Sequence, residues 1–395
     1  MRCTQPSQTT GSGVTGMGDE PISAGAIADR PAVGLPAGSA VAVAMSGGVD
    51  SSVAAALLLE WGYAVSGVTL RLWTEAEIAP DSLAASPNDS AIESAQQVCA
   101  ALDVPHRVLD CRAEFKTAVV DYFVDAYSRG LTPNPCVVCN RRIKFGLLLD
   151  WVRALGIDWL STGHYVRSEL QDGRYHLLRG RDPRKDQSYF LYRLTQTELA
   201  HLVFPLGELT KDWVWQYARD RDLPVAHRPE SQETCFILDN DYRRFLRTHH
   251  PETAVPGPIV DLQGNRVGTH HGLAFYTIGQ RSGLGIAAPQ PLYVLDIVPE
   301  RNELVVGTGA ELGRAQLEAV DVSYVSGAVP AGSLQGTIKI RYQAHEAPAQ
   351  LSPRGEDAAE FSLASPLRDV TPGQSVVFYQ GDEVLGGGII ARTGA

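Results

Sequence analysis

Between residues 40 and 110 the chain alternates short apolar runs with longer stretches of helical spacing. "AVAVAM" (40–45) predicts a buried strand, and "SSVAAALLLEWG" (51–62) predicts a helix closing on Gly62. "AVSGVTLRLW" (64–73) predicts a second strand, "SAIESAQQVCAALD" (90–103) a second helix and "HRVLD" (106–110) a third strand. "IDWLSTGHY" (157–165) adds a strand that ends in a polar, glycine-bearing loop, and "EIAPDSLAASPND" (77–89) reads as a loop. This alternation implies an α/β fold of parallel strands with crossover helices. Ligands in such sheets gather at the carboxyl ends of the strands, so "SGGVDSS" and "TGHY" are expected to face one crevice.

Beyond about residue 235 the texture changes to short β-type runs broken by Gly, Pro and Asn, and helical periodicity almost vanishes. The expected organisation is an α/β catalytic domain over 38–232, a small β-rich central domain over 233–312 and a compact β-barrel or sandwich over 313–395. No internal repeat is visible. Residues 1–37 are rich in Gly, Ser, Thr and Pro and lack the apolar segment of a secretory signal. They read as a disordered extension carrying Cys3, with Met17 available as an alternative start.

Composition narrows this picture. With 44% hydrophobic and 20% charged residues, and no stretch near the roughly 18 apolar residues of a membrane span, the chain reads as soluble, with no membrane partner. A net charge of −11 argues against bulk attraction to phosphate, so any nucleic acid must be held by local basic clusters. The six cysteines (Cys3, Cys99, Cys111, Cys136, Cys139 and Cys235) are too few and too scattered for a secreted disulfide framework. A reducing cytoplasm is the expected compartment.

"MSGGVDSS" (45–52) follows one predicted strand and opens a helix, the arrangement in which backbone N–H groups and a helix N-terminus cradle phosphate. Gly47 and Gly48 permit close backbone approach, Ser46, Ser51 and Ser52 offer hydroxyls, and Asp50 is placed to hold Mg2+ against pyrophosphate. The stretch has no lysine, which separates it from the loop that grips β- and γ-phosphates. It resembles the PP-loop of the ATP pyrophosphatases, which split ATP between its α- and β-phosphates. That resemblance implies an adenine nucleotide α hydrolase-like domain.

"TPNPCVVCN" (132–140) places two thiols three residues apart. Asn134 suits an N-cap and Pro135 the first helical position, so a helix is expected to begin here. Ile143, Leu147, Leu148, Trp151 and Leu155 fall near one face of it. The positive helix end, with Arg141, Arg142 and Lys144 close by, predicts low thiol pKa values. A four-ligand zinc site needs two more ligands at matching spacing, and there is no second CxxC. A buried structural pair is the other ordinary reading. "RPESQETCFI" (228–237) supplies a third thiol, Cys235, in a polar loop entering an apolar run.

Taken together, "AMSGGVDSS", "TPNPCVVCNRRIKFG", "STGHY", "KDQSYFL", "FPLGELTK", "SQETCFI", "GPIVD", "YTIGQRSGLGI", "PLYVLDI", "KIRYQ" and "TPGQSVVFY" resemble the tRNA-specific 2-thiouridylase family, in family order, over about residues 40–385. The resemblance implies adenylation by ATP of the C2 oxygen of the wobble uridine in tRNA, then its replacement by sulfur. ATP would be bound by Ala44, Met45, Ser46, Gly47, Gly48, Val49, Asp50 and Ser51, with Leu70 and Gly163 touching the nucleotide. Cys139 matches the nucleophile and Cys235 the persulfide carrier. Asn134, Pro135 and Cys136 match the segment around the target base. His164, Lys185, Asp186, Gln187, Arg341, Tyr342 and Gln374 match tRNA contacts. A sulfur donor such as a cysteine desulfurase or a sulfur-relay protein is the further partner implied. The cluster "RGRDPRKDQ" (179–187), with Arg141 and Arg142, is the expected source of phosphate contacts.

One position departs from the pattern. Many family members carry Asp where this chain has Cys136, and a thiol cannot do a carboxylate's work by the same means. Cys136, Cys139 and Cys235 would form a three-thiol set if their loops converge, and an iron–sulfur cluster is the alternative such a set raises. The paired histidines His249, His250, His270 and His271 are assigned no role.

Overall fold

The computed structural model describes residues 35–78, 87–228 and 234–392. Most of the expected N-terminal extension, including Cys3 and Met17, lies outside the described residues, as does part of the 77–89 loop.

Strands β1 (Ala40–Ala44), β2 (Ala64–Arg71), β3 (His106–Asp110), β4 (Trp159–Ser161) and β7 (Leu202–Val203) form a parallel sheet in the order β3-β2-β1-β4-β7. β1 is apolar throughout because helices cover both faces of the sheet. Helix α1 (Val49–Glu60) is buried over most of its length, and Gly62 leaves it at φ +83°. Helix α2 (Pro87–Ala101) follows β2. The chain winds from β1 to β2 and β3 on one side and reaches β4 and β7 on the other, so the strand order reverses between β1 and β4. Loops leaving the two strands diverge there and open the crevice.

Two long helical runs complete this domain. α3 spans Arg112–Ser128 and α4 spans Pro135–Ala154, each with an inner stretch wound with i→i+5 bonds, Lys116–Val120 and Asn140–Leu148. The i→i+5 winding spreads the apolar residues of α4 over two cores, Ile143 in one and Leu148 in another. Leu155 lies past the helix end and is 43% exposed, so the single apolar face expected from the sequence is replaced by two.

A hairpin of β5 (Val166–Gln171) and β6 (Arg174–Arg179) was not anticipated. It leaves the catalytic domain and pairs with the C-terminal unit at Leu178 and Glu383. Helix α5 (Lys211–Asp220) then returns to α1. The central unit opens with helix α6 (Tyr242–His249), an exception to the expected loss of helical structure. Behind it, β8 (Gly257–Val260), β9 (Arg266–His270), β10 (Tyr293–Val298) and β11 (Glu303–Gly307) pair in the order β10-β11-β8-β9.

The C-terminal strands are β12 (Arg314–Tyr324), β13 (Leu334–Lys339), β14 (Ala347–Pro353), β15 (Ala358–Leu367), β16 (Ser375–Gln380) and β17 (Glu383–Ile390). β12 pairs with both β15 and β17, which closes a barrel of six strands among the described residues; the alternative of a sandwich is set aside. On β16 the period of two decides the packing. Val376 and Phe378 fill the barrel, whereas Val377 and Tyr379 join the core that covers one face of the parallel sheet. One strand thus serves two cores, and the barrel is built onto the catalytic domain.

Candidate active site

The turn from β1 into α1 has the shape its sequence predicts. Gly47 adopts φ +72°, and a Cβ there would lie 2.5 Å from the carbonyl oxygen of Ala91 in α2. Gly48 caps α1. Ser51 Oγ accepts from the Ser46 backbone N–H at 3.2 Å and donates to the Gly48 carbonyl at 3.1 Å, and Ser52 Oγ donates to the same carbonyl at 2.9 Å. Met45 is tied to β2 by its N–H to the Val68 carbonyl, 2.8 Å away. Ala44 ends β1 and Leu70 lies near the carboxyl end of β2.

The "TGHY" loop does meet this turn. A Cβ on Gly163 would sit 2.7 Å from the Ser51 backbone nitrogen and 2.8 Å from the Asp50 carbonyl carbon, so only a glycine allows the approach. Beside it, Tyr165 donates its hydroxyl to Asp50 Oδ1 at 2.7 Å. Lys211, the first residue of α5 and only 5% exposed, donates to the same oxygen at 2.6 Å. The sequence motif contains no lysine, yet the fold delivers one from 161 positions away.

Asp50 brings one carboxylate, with Oδ1 engaged by Tyr165 and Lys211. Mg2+ is commonly held by one or two carboxylates together with substrate phosphates, and this donor set fits an ion carried in by phosphate better than a closed protein cage. Among the described residues no group of three His, Cys, Asp or Glu side chains is placed to hold a metal ion. The alternative of an iron–sulfur cluster on Cys136, Cys139 and Cys235 therefore finds no ligand geometry in this structure.

The two thiols of "PCVVC" open α4 as expected: Asn134 Oδ1 accepts from the Val137 N–H at 3.4 Å, with Pro135 in the first turn. Cys136 is exposed and Cys139 buried. Cys235 is exposed, and Phe236 beside it enters the same apolar cluster as Cys139 and Cys111. Cys136, Cys139 and Cys235 lie close enough for the charge of one to act on another: ionised Cys139 and Cys136 both raise the pKa of Cys235.

Low thiol pKa values do not result. Burial pushes Cys139 up to about 11, against a smaller downward pull from Lys144. Desolvation by the surrounding protein likewise raises Cys136, and raises Cys235 although its side chain reaches solvent. The helix end and the nearby cations are present, but loss of hydration outweighs them. Burial also pushes Cys111 up to about 12. His164, held through Nδ1 to Thr162 Oγ1 at 2.8 Å, is kept well below the usual histidine range by burial first and by Lys144 second.

Of the remaining residues named for tRNA contact, Asp186, Gln187, Arg341, Tyr342 and Gln374 have side chains engaged with other parts of the protein, and Lys185 is held through its backbone. Asp186 accepts from the N–H groups of Gly180 and Ser188, both at 3.1 Å, and Gln187 Oε1 accepts from the Tyr165 N–H at 3.0 Å. The Lys185 N–H donates to the Asp182 carbonyl at 3.0 Å. Arg341 Nη2 reaches the carbonyls of Ile278 and Asp369 and the Thr371 hydroxyl, and Tyr342 lies against Phe190 with ring centroids 4.5 Å apart. Gln374 Nε2 donates to the carbonyls of Thr132 and Pro133, both at 3.1 Å, and so holds the chain just ahead of the paired thiols. Within "RGRDPRKDQ" the positive charge is partly neutralised, Arg184 by Asp182 and Asp212 and Arg179 by Glu346.

Three family models match in succession: a tRNA methyl transferase HUP domain over residues 39–239, a tRNA methyl transferase PRC-barrel domain over 243–308 and an aminomethyltransferase beta-barrel domain over 314–390. The tRNA-specific 2-thiouridylase MnmA of Chloroflexus aurantiacus is 51% identical over 354 residues, covering 89% of this chain and 98% of that protein. The chain belongs to the tRNA-specific 2-thiouridylase family. A second relative of that name, from Moorella thermoacetica, is 49% identical over 350 residues, 88% of this chain and 98% of the other. The family models are described by methyl transfer, but three thiols close enough to influence one another, in a chain that also carries a strand–glycine turn–helix of the phosphate-binding kind, suit the sulfur chemistry of the thiouridylase name. Among solved structures, a 4-thiouridine synthetase–RNA complex with bound ATP aligns over 55% of this chain and 53% of that one, at 16% identity and TM-score 0.32, a likeness too slight to carry an argument. No helix among the described residues is long and apolar enough to cross a membrane.

Proposed function

We propose that this enzyme converts the wobble uridine of tRNA to 2-thiouridine, with ATP as co-substrate. What supports the reading is the meeting of Gly163 and Lys211 with the turn at Ser46–Ser51, together with the gathering of Cys139 and the Cys235 segment around one apolar cluster.

A uracil C2 carbonyl resists substitution because its oxygen is a poor leaving group. Attack of that oxygen on the α-phosphorus of ATP expels pyrophosphate and turns the oxygen into part of AMP, which leaves readily. In this reading Ala44, Met45, Ser46, Gly47, Gly48, Val49, Asp50 and Ser51 bind ATP, with Leu70 and Gly163 along the nucleotide; Asp50 would hold Mg2+, which would offset the negative charge of the phosphates. The base must leave its stack to reach the crevice. Asn134, Pro135 and Cys136 surround it, while His164, Lys185, Asp186, Gln187, Arg341, Tyr342 and Gln374 form or support the tRNA surface.

Cys235 carries the incoming sulfur as a persulfide. Its terminal sulfur attacks C2 and AMP departs. Cys139 thiolate then attacks the sulfur of Cys235, breaking the S–S bond and leaving 2-thiouridine on the tRNA and a Cys139–Cys235 disulfide on the protein. An external thiol reductant restores both cysteines. A cysteine desulfurase or sulfur-relay protein supplies the sulfur, in a cytoplasmic setting. The working division of the chain is 38–232 for chemistry, with 233–312 and 313–395 as the central and barrel units.

The test is mass spectrometry of nucleosides from tRNA incubated with the protein, ATP, Mg2+ and a sulfur source. The expected product is 2-thiouridine, formed with AMP and pyrophosphate. ATP turnover that is indifferent to tRNA would overturn the reading in favour of a ligase acting on a small metabolite.

A further inference from the structure

The segment bearing Cys235 is fastened by a buried carboxylate from another part of the chain. Glu75 follows β2, the strand that carries Leu70, and its side chain is 5% exposed. Its backbone N–H donates to the Phe236 carbonyl at 3.0 Å, and its Oε2 accepts from the Leu238 N–H at 3.4 Å, so one residue grips the chain on both sides of Ile237. The same carboxylate receives both terminal nitrogens of Arg244, Nη2 at 2.7 Å, and faces His249 Nε2 at 2.7 Å. Arg244 also holds Asp239 Oδ1 at 2.7 Å. Every one of these partners lies within fifteen residues after Cys235, in its own segment or in α6.

Beneath this network, Phe236 sits edge-on against Phe115, Phe123 and Phe245, with centroids 6.0, 5.3 and 5.9 Å away. Those rings provide apolar burial without fixing the height of the neighbouring thiol. A buried ion pair is a poor source of net stability, because desolvation offsets most of its attraction, but it is highly directional. Two backbone bonds and a bidentate arginine define the position of a short segment in a way that ring packing does not.

We infer that Glu75 is a positioning residue for sulfur transfer: it docks the Thr234–Asp241 segment onto the carboxyl end of the nucleotide-binding sheet and sets the distance from Cys235 to Cys139. The inference rests on the proposed roles of those two cysteines. It makes Glu75 indifferent to adenylation and essential to the meeting of the thiols.

The experiment uses the full chain as Glu75→Gln and, as a milder change that keeps the charge but loses the planar fork, Arg244→Lys. Diamide oxidises the two thiols to a disulfide by accepting two electrons and two protons, and mass mapping follows the rate at which the Cys139–Cys235 bond forms. Tryptic mapping separates it from Cys136–Cys139. Single-turnover thiolation and pyrophosphate release are measured alongside. Disulfide formation and thiolation should slow together by about ten- to a hundred-fold in Glu75→Gln, and less in Arg244→Lys, with pyrophosphate release and the KM for ATP unchanged. Wild-type rates of disulfide formation in both variants would overturn the inference, as would equal losses in adenylation and thiolation, which mark general loss of structure. If the unaltered protein forms no Cys139–Cys235 bond, the underlying assignment of the cysteines fails instead.

Discussion

Lys211 and Asp50 meet at 2.6 Å across the mouth of the phosphate turn, one from the start of α5 and the other from the first turn of α1. The contact sets a cation beside a loop whose own sequence has none, and on the proposed reading that cation would face the departing pyrophosphate. Tyr165 shares the same carboxylate oxygen, so the pair is held in place before any nucleotide arrives.

Replacing Lys211 with Met removes that charge while keeping the stem. Pyrophosphate release should fall by about 10²–10³-fold, the usual loss when one preorganised electrostatic partner of a transition state is deleted. Isotopic pyrophosphate exchange and a melting curve on the same sample separate this from unfolding. An unimpaired exchange rate would remove Lys211 from the chemistry.

Gly163 offers a steric test of the same crevice. A methyl group there meets backbone atoms of Asp50 and Ser51, which cannot rotate away as a side-chain tip would. Gly163→Ala should cost about 1–3 kcal/mol of stability by overpacking and weaken ATP binding at least tenfold. Calorimetric titration with ATP gives the affinity; binding at the original strength would mean that the loops are farther apart than described.

The two cysteines are expected to separate the half-reactions. Cys139→Ser and Cys235→Ser should each abolish 2-thiouridine while leaving AMP attached to tRNA detectable. Thiolation retained in either variant would take that cysteine out of the mechanism.

Burial gives the reaction a distinct pH signature. With its thiol pushed up to about 11, Cys139 is only about one part in 10⁴ thiolate at pH 7, and alkylation by iodoacetamide should climb about tenfold per pH unit up to that value. Lys144 pulls the same thiol downward, so Lys144→Met should move the curve to higher pH and slow alkylation at any pH below it. The measurement belongs in a background with Cys136 and Cys235 changed to Ser. A plateau reached near pH 8 would show that Cys139 is better hydrated than its surroundings imply.

The legibility of the chain followed the range of each interaction. "AVAVAM", "SGGVDSS" and "PNPCVVC" are local signals in which strand, glycine turn and cap lie within a few residues, and each folds as its pattern predicts. The juxtaposition of "TGHY" with the phosphate turn followed from a general rule about parallel sheets, and Gly163 confirms it. Contacts such as Lys211 with Asp50 and Glu75 with Arg244 join segments about 160 to 170 residues apart and leave no periodic trace. The thiol pKa values went the other way for the same reason. Helix polarity and neighbouring cations are visible in sequence, whereas the desolvation that overrides them comes from elements folded in from elsewhere.

β16 shows two faces to two interiors, and Gln374, just ahead of it, holds the carbonyls that precede the paired thiols. A chain cut after residue 312 keeps every cysteine and the whole nucleotide turn. It also strips Val377 and Tyr379 from one flank of the sheet and unties the entrance to α4. The barrel is therefore no detachable handle: it is part of the wall of the neighbouring domain, and its removal would loosen the ground on which the paired thiols stand.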